Sequence, residues 1–451
     1  MGLLSAASLR REFASMQGHR ILRFFLLQSA AWTLLCISVE TYCRFALHLG
    51  LPYDYPGIVS WTTFIDFHSF ISKFAFFHSR LFFSRGETLP YPAPALVAYK
   101  LFLTPQPAGG RVAVPIYEFT ILVISWIMLF LFRRALVRRG LAPRTATGFV
   151  LGTYFLSFPF WFEWLQGNIE FAVWALLFLG IAAFWNDKLY LAAVCLGVAA
   201  AMKVFPLVFL GLFLARRETP SQYRALYRAL AVAMLSASVS TVVSVWLVCP
   251  DFAYSWQQIN LALFHFQHEY MLNLLQVQSG FDHSLFALIK RAMLPLLQPA
   301  QVENLLRLYL PAVAFAGCMA FFLRIRRLPF ANQVACLTIA AVLLPPVSYD
   351  YTLIHLYAPF ALLVFVALDH ARTHQQPPPG LFAALCMLAF LLAAQSEFIL
   401  HGVRFAGQLK SLALLMLGYL CLRYPFAAQP QPPATAPRIA TSSTSMAANV
   451  G

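Results

Sequence analysis

The chain has 451 residues, of which 60% are hydrophobic and only 11% are charged, and its formal net charge is +15. A soluble domain carries about 25% charged residues, so this composition, with a mean hydropathy of +0.70, excludes an ordinary soluble protein. The apolar runs are longer than barrel strands. The sequence therefore predicts an all-α integral membrane protein. Its eight cysteines form no CxxC pair and indicate no zinc or redox motif.

The first apolar run, residues 24–43, follows a basic segment that contains Arg10, Arg11, Arg20 and Arg23. A signal peptide has a similar start but ends in a small-x-small cleavage site. Because no such site follows this run, we expect a retained signal anchor, with residues 1–23 in the cytoplasm.

The next stretch, from Trp61 to Tyr91, is rich in aromatic residues. Between residues 64 and 77, apolar residues recur at steps of three and four, which predicts a helix lying in the membrane interface. Asp66 lies at the start of this helix. Its carboxylate either carries chemistry at the membrane surface or only interacts with the positive end of the helix dipole.

Further apolar runs predict a polytopic bundle of about twelve transmembrane helices, within a range of ten to thirteen. The pair 189–202 and 204–215 is short enough to form a re-entrant hairpin instead, and residues 91–104 could also dip into the membrane. The predicted spans are 24–43, 114–132, 145–162, 169–185, 189–202, 204–215, 229–248, 308–323, 331–345, 352–368, 381–396 and 411–423.

The lysines and arginines predict the orientation of this bundle. If the N-terminus is cytoplasmic and the spans alternate, most of the 32 basic residues fall inside, together with only four of the 17 acidic ones. This is the positive-inside distribution, so the net charge is explained without a nucleic-acid partner. The remaining acids lie on the outer face, where we expect the chemistry.

The domain organisation is simple. We expect one membrane domain, residues 24–425, with long outer loops at 44–113 and 249–307. Residues 426–451 are rich in Pro, Ala, Ser and Thr, which predicts a disordered cytoplasmic tail.

Two polar features interrupt the central apolar runs. Gln166, Gly167 and Asn168 form a tight turn whose amides could hold sugar hydroxyls or head groups, or could merely satisfy helix ends. Lys203 lies between two very apolar short segments. It either binds the phosphate of a lipid carrier or extends to the outer head groups.

A second polar region is the broken helix junction at residues 344–351, which contains Ser348 and Asp350 and is followed one turn later by His355. Irregular backbone at membrane depth is tolerated mainly where it lines a cavity, although a surface loop would read the same way. Asp282 and Ser284 open an amphipathic segment, where either could simply be a helix cap.

Metal binding has little support in the sequence. His265 and His268 are spaced i, i+3 before Glu269, which lacks the order of a metalloprotease motif. We expect no metal ligands and no cofactor.

In their order, these motifs resemble glycosyltransferase family 87, the polyprenyl-phosphate-mannose-dependent alpha-mannosyltransferases with the C-type membrane fold. The central run consists of Gln166-Gly167-Asn168, a helix, Gly197 through Ala201 to Lys203, Pro206, and Arg216-Arg217. The resemblance covers roughly residues 20–425. It extends to Asp66 with Tyr91-Pro92 and Pro94, to Asp282-His283-Ser284-Leu285, and to Pro346 through Tyr351. In the family the last motif usually continues into histidine, and here Tyr351 stands about where that histidine would be.

The resemblance implies an inverting, metal-independent transfer of a sugar, mannose in this family, from an outward-facing polyprenyl phosphate carrier to a lipid or glycan acceptor. Asp66 would be the general base. Donor and phosphate binding would fall to Lys203, Arg80, Arg404, Tyr351 and His355. Substrate binding would fall to Tyr91, Gln166, Asn168, Asp282, Ser284, Ser348 and Asp350. The lipid-linked sugar is a co-substrate, the other partners are membrane lipids, and we expect the plasma membrane, with both termini in the cytoplasm.

Two alternatives remain open. A C-type transferase could move another hexose or a pentose, because no residue pattern in the sequence identifies which sugar is bound. A transporter or flippase of lipid-linked sugars belongs to a different class. Transporters often show internal repeats and charges near the bilayer midplane, and neither is evident here.

Overall fold

The computed structural model describes residues 6–46, 48, 73–84, 89–102, 113–215, 220–266, 270–272, 282–293, 298–373, 377–393, 399–400 and 403–427. Within them the regular structure is helical apart from one antiparallel pair, β1 (Ile399–Leu400) and β2 (Val403–Arg404).

Each predicted apolar run contains helical structure, although the first helix begins before its run and two further helices lie in the predicted outer loop 249–307. In chain order the helices are α1 (Ala6–Phe45), α2 (Ala93–Phe102), α3 (Ala113–Arg138), α4 (Pro143–Phe155), α5 (Phe158–Gln166), α6 (Glu170–Trp185), α7 (Leu189–Met202), α8 (Pro220–Val248), α9 (Phe252–Phe266), α10 (Leu285–Met293), α11 (Pro299–Leu323), α12 (Phe330–Leu343), α13 (Tyr357–Arg372), α14 (Leu381–Ala393) and α15 (Ala406–Arg423). Shorter elements are 3-10 segments at Lys73–Phe76, Phe205–Leu214, Ile325–Arg327 and Asp350–Leu356, and a single turn at Leu81–Ser84.

One predicted span is wrong as a continuous helix. Residues 145–162 are split into α4 and α5, because Ser157 has an extended backbone and its side chain accepts a hydrogen bond from the Phe160 amide at 3.4 Å. Pro159, in the first turn of α5, lacks the N–H that a continuing helix would need. A serine cap followed by proline thus ends one helix and starts the next.

The pair 189–202 and 204–215 is also irregular. The α7 helix ends at Met202, Lys203 is extended (φ −142°, ψ 148°), and Phe205–Leu214 then continues as a 3-10 helix. Gly197 lets α7 and α8 approach closely, since a Cβ atom there would lie 2.3 Å from the Ala233 carbonyl oxygen.

Five helical segments of the described chain are long and apolar enough to cross a membrane: Arg20–Val39, Ile116–Arg138, Ser221–Val248, Gln301–Arg327 and Asp350–Arg372. Five shorter apolar helices also occur there, at Glu170–Trp185, Leu189–Met202, Phe205–Leu214, Phe330–Leu343 and Leu381–Ala393. The chain is therefore a helical membrane protein, while the number of crossings stays a prediction.

Helix α3 shows how the two ends of the bundle differ. Tyr117, near its start, donates a hydrogen bond to the Asn168 carbonyl at 2.9 Å, and Arg134, Arg138 and Arg139 lie at its other end. Twenty-one residues of helix separate Tyr117 from Arg138, about 31 Å, close to the ~30 Å of a hydrocarbon core. We call these the site end and the arginine end.

The aromatic stretch before α2 is only partly described. Residues 64–72 of its predicted interfacial helix, including Asp66, lie outside the described residues. Phe74 is 2% exposed and its ring packs 5.5 Å from Phe82 and 6.3 Å from Tyr99. This part of the predicted lipid-facing surface therefore belongs to the protein core.

Candidate active site

The turn between α5 and α6 is held by its own polar groups. Gly167 has φ +60°, a left-handed conformation that glycine adopts readily. The Glu163 Oε1 atom accepts from the Phe171 amide at 3.0 Å, and Asn168 Oδ1 accepts from the Glu170 amide at 3.2 Å. These bonds satisfy N–H groups of the first turn of α6 that a helix start leaves without partners.

Asn168 also ties this turn to the outer segment. Its side-chain amide donates to the Tyr91 hydroxyl at 2.9 Å, and the residue is buried. The neighbouring Ile169 amide donates to the Tyr99 hydroxyl at 2.7 Å. Gln166 is buried as well. The geometry gives Asn168 a structural role, and direct contact of either amide with substrate stays a prediction.

Glu170, the first residue of α6, is the centre of a buried charge cluster. Its Oε2 lies 2.7 Å from Lys203 Nζ and its Oε1 lies 2.5 Å from His355 Nε2, while its side chain is fully buried. A buried carboxylate is costly unless it is paired. Both charges also suit their positions, since the carboxylate lies at the start of α6 and the ammonium at the end of α7.

Aromatic rings surround the lysine of this cluster. Lys203 Nζ lies 5.5 Å from the ring centroids of both Tyr91 and Tyr351, which are cation–π distances. Phe162 stacks on Tyr351 at 6.3 Å with an interplanar angle of 7°. The Lys203 side chain is 18% exposed, so it is a partly accessible cation between aromatic faces.

A second buried cluster lies at the same end of the bundle. Asp350 Oδ2 accepts from Lys410 Nζ at 2.7 Å, and Asp350 Oδ1 lies 3.5 Å from His283 Nδ1. On the other side of the His283 ring, Nε2 lies 3.1 Å from the Ser348 hydroxyl and 3.2 Å from the Thr352 hydroxyl. The cluster joins the start of α10, the broken junction and α15.

Asp282 and Ser284 complete these links. Asp282 Oδ1 accepts from the amides of Ser284 at 2.9 Å and Ser348 at 3.0 Å, and burial raises the pKa of this carboxyl group. The Ser284 hydroxyl caps α10 by accepting from the Ala287 amide at 3.0 Å. Asp282, Ser284, Ser348 and Asp350 are all buried. The structure thus uses them to position loops, and their contact with substrate stays a prediction.

Of the remaining predicted residues, the structure describes the side chain of Arg80, which lies outside both clusters. Arg80 is largely exposed, donates a hydrogen bond to Asp251 and lies 5.1 Å from the Tyr254 ring. Arg404 pairs through its backbone with Ile399, and its side chain lies outside the described part of the structure, as do His268 and Asp66. Among the described residues, no three His, Cys, Asp or Glu side chains are grouped to hold a metal ion.

Sequence reasoning missed Glu170, His283 and Lys410 as members of the two clusters. Lys410 had a usable signal, because a lysine inside an apolar helix requires a partner, and the complementary acid was Asp350. Glu170 was assigned to the outer face, but its pairing with Lys203 and His355 joins three separate helical elements and has no short-range signature.

Comparison with known proteins adds one finding. None of the curated proteins and none of the solved structures matches this chain. The model of glycosyltransferase family 87 matches residues 90–346, more than half of the chain. The matched range contains Tyr91, Asn168, Glu170 and Lys203, whereas Asp66 precedes it and His355 follows it. The chain belongs to glycosyltransferase family 87 and is therefore a membrane glycosyltransferase.

Proposed function

We propose that this protein transfers a sugar, mannose in the first instance, from a polyprenyl phosphate carrier to a lipid or glycan acceptor. In this proposal the site end faces the extracytoplasmic side of the plasma membrane. The acceptor hydroxyl loses its proton to Asp66 and attacks the anomeric carbon, the bond from that carbon to the phosphate oxygen breaks, and the configuration inverts.

The observation that carries the proposal is the environment of Lys203. When the sugar leaves, negative charge develops on the carrier phosphate, and a positioned cation stabilises it. Lys203 has three N–H donors. One of them is directed at Glu170, so the other two can donate to a phosphate oxygen. Tyr91 and Tyr351 flank the ammonium and restrict where that oxygen can lie.

His355 has a related role in this proposal. Its Nε2 faces Glu170, and its ring lies 5.0 Å from Phe205. The histidine of the family's last motif is replaced by Tyr351, and His355, one helical turn later, enters the same cluster. We propose that His355 holds the Glu170 carboxylate in position. Glu170 in turn positions the ammonium of Lys203.

The assignment of Asp66 rests on the resemblance and on the segment that follows it. Tyr91 closes the same outer segment and contacts both Asn168 and Lys203, which brings the end of that segment to the site. A general base must come within hydrogen-bond reach of the acceptor hydroxyl.

A transfer assay with wild type and Asp66→Asn tests the proposal. Each purified protein is incubated with a short-chain polyprenyl phosphate mannose and membrane lipid extract in the presence of EDTA. Asp187→Asn serves as the matched control, because Asp187 has φ +56°, a conformation that asparagine accepts, and it follows α6 at the arginine end.

We expect transfer by wild type and control and none by Asp66→Asn. Transfer by the folded Asp66→Asn variant would refute the general base. Absence of transfer by all three proteins would refute mannose, and the same assay with other lipid-linked hexoses or pentoses would follow. Movement of the donor across vesicles without transfer would favour the flippase.

A further inference from the structure

A cavity that the described residues enclose lies at the arginine end, away from the Glu170 cluster. It has a volume of about 280 Å³ and is bounded by α3, α6 and α13. Its walls combine aromatic rings, among them Phe132, Phe178 and Phe365, with the guanidinium groups of the last turns of α3. The glycosyl transfer proposed above makes no use of this cavity.

The charged residues that line the cavity are all positive. Three arginines line it, Arg134, Arg138 and Arg139, and none of its lining residues is acidic. Arg139 lies 3.6 Å from Asp369 and stacks 3.8 Å from the Phe365 ring, so that pair is held in place. Arg134 and Arg138 are exposed at the rim and add two positive charges without an acid among the lining residues.

The apolar wall continues toward the middle of the bundle. A narrower cavity shares Phe132, Phe178 and Ala361 with the first one and extends to Ser125 and Trp174. On α3 the distance from Arg138 to Ser125 is thirteen residues, about 20 Å. That is more than half of the ~30 Å hydrocarbon core. The narrower cavity has a volume of only about 30 Å³, so an acyl chain from the leaflet at the arginine end would lie against this wall and not inside that cavity.

We infer that this cavity is a binding site for an anionic phospholipid of that leaflet, with its phosphate at Arg134 and Arg138 and an acyl chain along Phe132 and Phe178. Basic pockets between transmembrane helices recognise anionic lipid head groups in this way. Trp185 also lines the cavity, at the depth where tryptophan is typical of the membrane interface. A free phosphate ion would use the arginines but not the apolar wall.

The test is native mass spectrometry of the full chain released from nanodiscs that contain phosphatidylglycerol or phosphatidylcholine. We compare wild type, Arg134→Gln/Arg138→Gln, Ala182→Leu and Arg144→Gln. Ala182 lines the cavity and leucine there would narrow it. Arg144 is an exposed arginine that does not line the cavity. Arg144→Gln therefore removes one positive charge and leaves the cavity unchanged.

We expect wild type and Arg144→Gln to retain phosphatidylglycerol over phosphatidylcholine. Each cavity arginine should contribute about fivefold to this retention, so the double variant should lose about 25-fold, and Ala182→Leu should lose binding with its charges intact. Equal retention of both lipids by wild type, or unchanged retention in the double variant and Ala182→Leu, would overturn the inference. Displacement of the lipid by inorganic phosphate at equal concentration would overturn it in favour of a free-phosphate site.

Discussion

Glu170 Oε2 and Lys203 Nζ lie 2.7 Å apart, and this contact joins the start of α6 to the break that follows α7. The Glu170 side chain is fully buried and the Lys203 side chain is 18% exposed. The acid is thus a fixed internal partner, while the lysine still has a face toward the site. The same contact therefore serves both stability and the proposed binding of the donor phosphate.

Removing one member of this pair should destabilise the fold. Lys203→Met leaves Glu170 buried beside His355 alone, and loss of one partner of a buried ion pair costs about 3–5 kcal/mol. Glu170→Gln/Lys203→Met removes both charges and should recover most of that loss. The measurement is the thermal unfolding midpoint in detergent. A double variant as unstable as Lys203→Met would show that the unpaired Glu170 carboxylate is not the cause of the loss.

The second cluster should behave as a structural unit. Lys410→Met leaves Asp350 buried without its ammonium partner and should lower the free energy of unfolding by a similar amount, about 3–5 kcal/mol. If Asp350 only positions the junction, Asp350→Asn/Lys410→Met should restore stability and keep transfer within about tenfold of wild type, a difference of about 1.4 kcal/mol. A stable but inactive double variant would instead place Asp350 in contact with substrate.

Two variants of Tyr91 distinguish the role of its hydrogen bond with Asn168 from that of its ring contact with Lys203. Tyr91→Phe removes the hydroxyl that accepts from Asn168 and keeps the ring near Lys203, so we expect a stability loss of about 1 kcal/mol and little change in transfer. Tyr91→Ala also removes the ring and should weaken transfer clearly more than the phenylalanine variant does. Equal activities in the two variants would show that the ring has no part in the site.

Gly197 tests the close packing of α7 on α8. Alanine there places its Cβ against the Ala233 backbone oxygen, and such overpacking typically costs about 1–3 kcal/mol. Gly317→Ala is the control, since an added Cβ would meet no atom within 4 Å and alanine favours a helix by about 1 kcal/mol over glycine. The midpoint of thermal unfolding should fall for Gly197→Ala and rise for Gly317→Ala. A shift of both midpoints in the same direction would contradict the packing argument.

The sequence predicted the helical elements well because long apolar runs leave the backbone few alternatives in a membrane. It failed at residues 145–162, where Ser157 and Pro159 end one helix and begin another inside an apolar run. It found Lys203 and His355 individually, because ionisable residues in apolar surroundings stand out. It could not find that both contact Glu170, since that depends on how α6, α7 and the Asp350–Leu356 segment pack together.

The central claim is that Lys203 stabilises the leaving carrier phosphate, and one measurement tests it most directly. The initial rate of mannose transfer from polyprenyl phosphate mannose is compared between wild type and Glu170→Gln/Lys203→Met, the variant expected to keep the fold. Loss of one positioned donor to a developing negative charge lowers the turnover rate by about 100- to 1,000-fold. We predict a loss in that range, with an unfolding midpoint close to that of wild type. A folded double variant that transfers mannose within tenfold of wild type would contradict the account.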